Sequence, residues 1–118
     1  MILQVLRVVG ALSTIATGLI SVLRPLSVRG FTGLSPDSPR GITEIRAVLG
    51  GLFVRLGVAP FLLRQPSAAQ AAAYRVLGIG YLAIGAVRLV SMVVDKSVQQ
   101  SNTISLAFEV IFGVILVL

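Results

Sequence analysis

The sequence contains no cysteine, no histidine and no tryptophan among its 118 residues. Without cysteine the chain can form no disulfide, no thiolate nucleophile and no iron–sulfur ligand set. Without histidine it lacks the commonest metal ligand and the usual proton carrier at neutral pH. We therefore expect no metal site and no cofactor, and we expect that the protein is not an enzyme.

Charged residues are also scarce. They make up 12 % of the chain, whereas about a quarter of a typical soluble domain is charged. Hydrophobic residues make up 56 % and the mean hydropathy is +1.00, so the expected solvent is the lipid bilayer. The net charge is +6, but the basic residues are scattered singly rather than gathered in a stripe. For that reason no nucleic-acid partner is expected.

Four apolar segments are each close to the roughly 20 residues that a membrane-spanning helix needs. They cover residues 2–23, 41–63, 69–94 and 103–118. The sequence therefore predicts an all-α fold: one integral membrane domain, residues 1–118, in which four helices form an antiparallel, up-down bundle. The short link at residues 65–69 predicts a tight hairpin between the second and third spans. In the first loop, Ser38 or Asp37 is predicted to cap the second span, with Pro39 in its first turn.

Seven charged residues interrupt these apolar segments, and charge in hydrocarbon costs roughly 2.5–3.5 kcal/mol per group on insertion scales. Four of the seven share one depth, near the membrane face that carries the first and third loops, which we name the loop side. This predicted charge layer consists of Glu44, Arg46, Arg88 and Glu109. Arginine–carboxylate pairs would neutralise it and hold the bundle together. A proton or ion path through the same residues is the alternative.

The other three arginines, Arg7, Arg55 and Arg75, lie toward the opposite side, where no acidic residue shares their depth. Arg7 and Arg75 are close enough to that face for their side chains to snorkel to the lipid headgroups. Arg55 lies about 12 Å from the face at the usual helical rise. It therefore needs an anionic ligand or lipid, a set of backbone carbonyls, or a neighbouring protein chain.

Small residues recur at helical spacing in the second and third spans and predict close helix packing. The predicted packing residues are Ala47, Gly50, Gly51, Gly57, Gly78 and Gly85. At 100° per residue, Ala47 and Gly51 share a face with Glu44 and Arg55, while Gly50 and Gly57 lie on a second face. Room for a ligand or a lipid tail is the alternative explanation of these glycines. Pro60 is predicted to kink the second span.

The second span and the loop before it resemble a known family. The segments Leu34–Ser38, Thr43–Ala47, Gly50–Gly51 and Leu56–Gly57 together resemble an uncharacterised bacterial family of small four-span membrane proteins with a Glu-Ile-Arg-Ala-x-x-Gly-Gly motif. That family is catalogued as a domain of unknown function. Where its members often carry Asn before the Glu and an aromatic residue before the glycine pair, this chain has Thr43 and Leu49. The resemblance implies a four-helix membrane bundle and supplies no catalytic residues.

These features lead us to expect a non-enzymatic accessory or structural subunit of a larger membrane complex, in contact with membrane lipids and with other subunits or further copies of itself. The loops are too small for a site, and the arginines outnumber the acids inside the spans. The alternative is a small oligomeric transporter or channel for ions or small anions. A weaker alternative is a protein that binds a lipid or another hydrophobic ligand. The expected location is a bacterial inner membrane, with both termini outside the cytoplasm because more basic residues lie in the first and third loops.

Overall fold

The computed structural model describes residues 1–64 and 67–118 and contains four long apolar helices. Helix α1, Ile2–Leu23, is followed by a 3₁₀ turn, Pro25–Val28, and by the one-turn helix α2, Arg29–Thr32. The other long helices are α3, α4 and α5, which cover Pro39–Leu62, Ser67–Val94 and Gln100–Val117. All four long helices are long and apolar enough to cross a membrane, so the predicted all-α class is confirmed. Residues 65 and 66 of the predicted hairpin link lie outside the described residues.

The first loop ends in the predicted cap. Ser38 is the N-cap of α3, and its hydroxyl oxygen accepts a hydrogen bond from the Gly41 N–H at 3.3 Å. Pro39 occupies the first turn, where a backbone N–H would have no helical partner in any case. A Cβ added at Gly41 would lie 3.1 Å from the Cβ of Pro36, so the loop folds back onto the start of α3.

Helices α1 and α3 pack closely through glycines. A Cβ added at Gly57 would lie 2.8 Å from the backbone oxygen of Ala11, and one added at Gly50 would lie 3.3 Å from that of Gly18. Residue numbers rise along one helix as they fall along the other, so the two helices run in opposite directions where they meet. Because glycine has no side chain, the two backbones can approach closely, as is common between membrane helices.

Helices α4 and α5 pack in the same way. A Cβ added at Gly78 would lie 2.8 Å from the backbone oxygen of Gly113, and one added at Gly85 would lie 3.5 Å from the Cβ of Glu109. These contacts also run in opposite directions. Helix α4 further contacts α3, and α5 contacts α1, so neighbours in sequence are neighbours around the bundle.

The core lies where the four helices converge. Its buried members are Ala11, Tyr74, Leu77, Tyr81 and Leu116, and the rings of Phe108 and Phe112 pack against them. The hydroxyl oxygens of Thr14 and Tyr81 lie 2.5 Å apart and link α1 to α4 across the bundle. Because the Thr14 hydroxyl donates to the Gly10 carbonyl, Tyr81 must be the donor to Thr14.

Helix α3 changes its winding within the membrane span. Residues Ile45–Leu52 form a π-helix, with α-helix before and after it. In a π-helix each backbone N–H bonds to the carbonyl five residues earlier, and such segments are rare and frequent at functional sites. The segment coincides with the Glu44–Gly51 motif from which the family resemblance was drawn. Pro60 lies further along α3, which continues as a helix to Leu62.

Candidate functional site

The most complete polar network inside the bundle joins Arg88 of α4 to Glu109 of α5. The Arg88 Nε donates to both carboxylate oxygens of Glu109, at 3.0 and 2.8 Å, and Nη2 donates to Oε1 at 2.7 Å. Its Nη1 donates to the Asn102 side-chain oxygen at 2.8 Å. The Glu109 side chain is only 8 % exposed. A bidentate, charge-assisted pair of this kind holds α4 and α5 in a fixed register.

The rest of the predicted charge layer does not join this pair. Glu44 instead forms an ion pair with Arg40, one turn earlier on the same helix, and both side chains are exposed. Arg46 is exposed, and no acidic side chain in the described part of the chain forms an ion pair with it. The prediction that all four residues form one neutral layer was therefore wrong. The physical reason is that the Glu44 and Arg46 side chains are exposed, rather than buried between α3 and its neighbours as Glu109 is between α4 and α5.

Arg7 lies against an aromatic ring rather than an acid. Its guanidinium carbon is 5.9 Å from the centroid of the Tyr74 ring, a distance compatible with a cation–π interaction. Tyr74 is only 1 % exposed. The Arg7 Nε and the Tyr74 hydroxyl are both buried without a hydrogen-bond partner among the described residues. Nothing in the spacing of these two residues along the chain indicated the contact.

Arg55 and Arg75 point outward from the bundle. Both are exposed, and neither forms an ion pair within residues 1–64 and 67–118. Arg55 is one of several exposed residues of α3, and α-helical spacing groups it with three of the others: Glu44, Ala47 and Gly51. We name these four residues the outer face of α3. The face places one arginine deep in the apolar region, with no acid of the described chain beside it.

The two adjacent glycines of the motif, Gly50 and Gly51, lie on different sides of α3. Gly50 is buried against α1, where an added Cβ would lie 3.1 Å from the backbone nitrogen of Val22. At Gly51 an added Cβ would meet only the Arg46 carbonyl oxygen, at 3.8 Å. Gly57, Gly78 and Gly85 are buried against other helices, as predicted. Ala47 and Gly51 are exposed, so their predicted packing partner is not another helix of the described chain.

A groove of about 480 Å³ runs between the first loop and the start of α3. It is bordered by two carboxylates and by mainly apolar side chains: Leu34, Ser35, Pro36, Asp37, Gly41, Glu44, Ile45, Val48 and Leu49. Five of these residues belong to α3, and Ile45, Val48 and Leu49 lie within the π-helical segment. The change of winding therefore shapes one wall of the groove. The sequence carried no signal for this groove beyond the turn residues of the loop.

Four membrane-length helices, small-residue contacts and a buried ion pair define a small multi-pass membrane protein. The chain belongs to the family described as a domain of unknown function, DUF4345, whose family model matches residues 2–118. The predicted membership of an uncharacterised, domain-of-unknown-function family is thereby confirmed. No curated protein and no solved structure matches the chain. Within the described residues, no group of three or more His, Cys, Asp or Glu side chains lies where it could hold a metal ion.

Proposed function

We propose that this protein is a non-enzymatic subunit of a larger complex in a bacterial inner membrane, and that it docks a transmembrane helix of another protein on the outer face of α3. The observation that carries the proposal is the exposed Arg55. A charged group exposed to hydrocarbon is costly, roughly 2.5–3.5 kcal/mol on insertion scales. A carboxylate on a neighbouring helix would offset that cost through a charge-assisted hydrogen bond.

The neighbours of Arg55 support a helix as the occupant. Ala47 and Gly51 lie on the same face and leave room for a second backbone to approach, as small residues do between membrane helices. At about 12 Å from the nearer membrane face, Arg55 lies deeper than lipid phosphates, whereas a side chain of a spanning helix can reach it at any depth. The partner is therefore identified by its chemistry, as a spanning helix with Asp or Glu near its middle.

The distribution of acids favours a different protein over a second copy of this chain. By order along the spans, all four acidic residues lie toward the loop side: Asp37, Glu44, Asp95 and Glu109. A second copy inserted in the same orientation would have no carboxylate at the depth of Arg55. A symmetric contact through the outer face would also bring the two Arg55 side chains together, which like-charge repulsion disfavours.

The first test uses Arg55→Leu. In native membranes solubilised with mild detergent, we expect the wild-type chain to migrate with a partner and Arg55→Leu to migrate alone. The isolated variant should be at least as stable as wild type, because its exposed charge is gone. A residue needed only for folding would instead lose both stability and partner. Arg75→Leu is the matched control: it removes another exposed arginine that lies toward the same membrane face and can snorkel, and it should keep the partner.

The second test locates the contact by cross-linking, which is practical because the chain has no cysteine. Gly51→Cys carrying a photoreactive maleimide should give an adduct, whereas Gly80→Cys should not. Gly80 is a matched control on a different helix, because an added Cβ there would meet nothing within 4 Å and one at Gly51 would meet only the Arg46 carbonyl oxygen, at 3.8 Å. Mass spectrometry should find an acidic residue in the cross-linked partner segment, and Arg55→Glu should be rescued by reversing that acid. A wild-type chain that migrates alone, or that cross-links to its own copy, would contradict the proposal.

The transporter alternative gains less support from the geometry. It places Glu44, Arg46, Arg88 and Glu109 along one path, whereas Glu44 pairs with Arg40 on the surface and Arg88 pairs with Glu109 in the bundle. Proton or anion flux in liposomes that disappears in Glu109→Gln would favour the transporter over the subunit.

A further inference from the structure

The groove between the first loop and α3 is a second candidate site, which shares only Glu44 with the outer face of α3. Its volume of about 480 Å³ is within the range of small-ligand sites, roughly 300–1,000 Å³. Apolar side chains such as Leu34, Val48 and Leu49 form most of its lining, and two carboxylates, Asp37 and Glu44, complete it. A groove with this lining fits a molecule that has one polar end and one apolar end.

The groove becomes more apolar with depth in the membrane. Asp37 lies in the loop before α3, and Glu44 lies about 5 Å below the loop-side face at the usual helical rise. Val48 and Leu49 follow at about 10 and 12 Å. The carboxylates are therefore at headgroup depth, and the apolar wall lies beside the acyl chains. An amphiphile that enters from the membrane would already have the orientation that the groove requires.

The negative charge of the two carboxylates in the groove favours an amphiphile with a cationic head group. Asp37 forms no ion pair within the described residues. Glu44 pairs with Arg40, but the two side chains are 53 % and 76 % exposed, and exposed pairs contribute little, about 0–1 kcal/mol. The carboxylates can therefore accept hydrogen bonds from a cationic head. A protonated primary amine supplies three donors, which suit the two carboxylates and the Ser35 hydroxyl.

We propose that this groove binds a membrane amphiphile with a protonated primary amine and an apolar tail. An aminophospholipid and a free long-chain amine share this chemistry. The π-helical segment supports the assignment, because it gives Ile45, Val48 and Leu49 their positions along one wall and is a winding that is frequent at functional sites.

The test uses tryptophan fluorescence, because the natural chain has no tryptophan. Val48→Trp places a single fluorophore in the groove. In nanodiscs of phosphatidylcholine, brominated phosphatidylethanolamine should quench it at least threefold more than brominated phosphatidylglycerol does. Dodecylamine should relieve the quenching if a free amine competes for the site. Val110→Trp is the matched control: Val110 lies seven residues into its predicted span, as Val48 does, and the two are 45 % and 48 % exposed. It should show no preference between the lipids.

Two further variants connect the preference to the carboxylates. Asp37→Asn and Glu44→Gln, each in the Val48→Trp background, should reduce the preference for the aminolipid at least threefold. Asp95→Asn removes an exposed acid from the same side of the membrane but outside the groove, and it should leave the preference unchanged. Equal quenching by both lipids with no effect of dodecylamine would overturn the proposal. So would a preference that survives loss of both Asp37 and Glu44. Dodecylamine binding without lipid preference would assign the groove to free amines.

Discussion

Two buried tyrosines of α4 have the same ring chemistry but different hydroxyl environments. Tyr81 donates to Thr14, whereas the Tyr74 hydroxyl has no hydrogen-bond partner among the described residues. We expect Tyr81→Phe to lower the free energy of unfolding by about 0.5–1.5 kcal/mol, the usual net value of one hydrogen bond. Tyr74→Phe should be neutral or stabilising, because it removes a buried polar atom that is not satisfied.

Unfolding of both variants in mixed micelles of dodecyl sulfate and a mild detergent, followed by helical circular dichroism, would measure this difference. Thr14→Val in the Tyr81→Phe background serves as a control, because it should add little once the hydrogen bond is gone. Equal losses in the two tyrosine variants would show that the Thr14–Tyr81 contact contributes nothing of its own.

The partners of single charged residues were only partly predictable from the sequence. The number of residues between each charge and the end of its span predicts that Arg88 and Glu109 lie at the same depth, and in the structure they form an ion pair. It also placed Glu44 there, but depth carries no information about which helices are neighbours or which way a side chain points. The Arg40–Glu44 pair had an available signal, the spacing of four residues within one helix. The Arg7–Tyr74 contact had none, because it depends on the packing of two helices that are distant in sequence.

Among the helices, α3 offers the sharpest comparison, because Gly50 and Gly51 are adjacent and have different surroundings. Gly50→Ala should destabilise the bundle by about 1–3 kcal/mol, since an added Cβ would push α3 away from α1. Gly51→Ala should be neutral or stabilising by up to about 1 kcal/mol, since alanine favours helix and the site is open. Thermal unfolding of both variants in detergent would measure the contrast.

A matching result for the two alanine variants would contradict the assignment of these glycines to different sides of α3. Gly57→Ala provides a positive control, because an added Cβ there would lie 2.8 Å from the Ala11 carbonyl oxygen. It should behave like Gly50→Ala.

The existence of the long helices was readable from hydropathy because bilayer thickness sets their length. The first helix begins and ends as predicted, and α5 begins three residues earlier, at Gln100. The π-helical winding of α3 was not readable. It depends on a small difference between two hydrogen-bonding patterns, and no residue type is required for it in the way that glycine is required for a left-handed turn. Hydropathy likewise could not tell that Ala47 and Gly51 are exposed while Gly50 is buried against α1.

For the molecule as a whole, the distribution of basic residues predicts its orientation. The first and third loops carry Arg24, Arg29, Arg40 and Lys96. The positive-inside rule then places these loops in the cytoplasm and both termini outside. Because the natural chain has no cysteine, single-cysteine variants can test this directly. In intact cells, a membrane-impermeant maleimide should label Ser67→Cys and leave Ser35→Cys and Gln99→Cys unlabelled.

Permeabilised cells provide the control, since all three cysteines should then react. Labelling of Ser35→Cys and Gln99→Cys in intact cells, with Ser67→Cys protected, would reverse the orientation. Labelling of all three in intact cells would indicate that the chain inserts in both directions. In that case an inverted second copy would place acids on the side of the membrane nearer Arg55.

The adjacent glycines of α3 have a mechanical consequence. At the level of Gly50 and Gly51, which lie in the π-helical segment, the helix has only its main chain on two sides. A helix that rests on Gly51 would therefore be separated from α1 by little more than this thin wall. A tilt of such a helix would displace α1 directly, because no side chains lie between them to absorb the movement. The Thr14–Tyr81 hydrogen bond would pass the displacement of α1 on to α4.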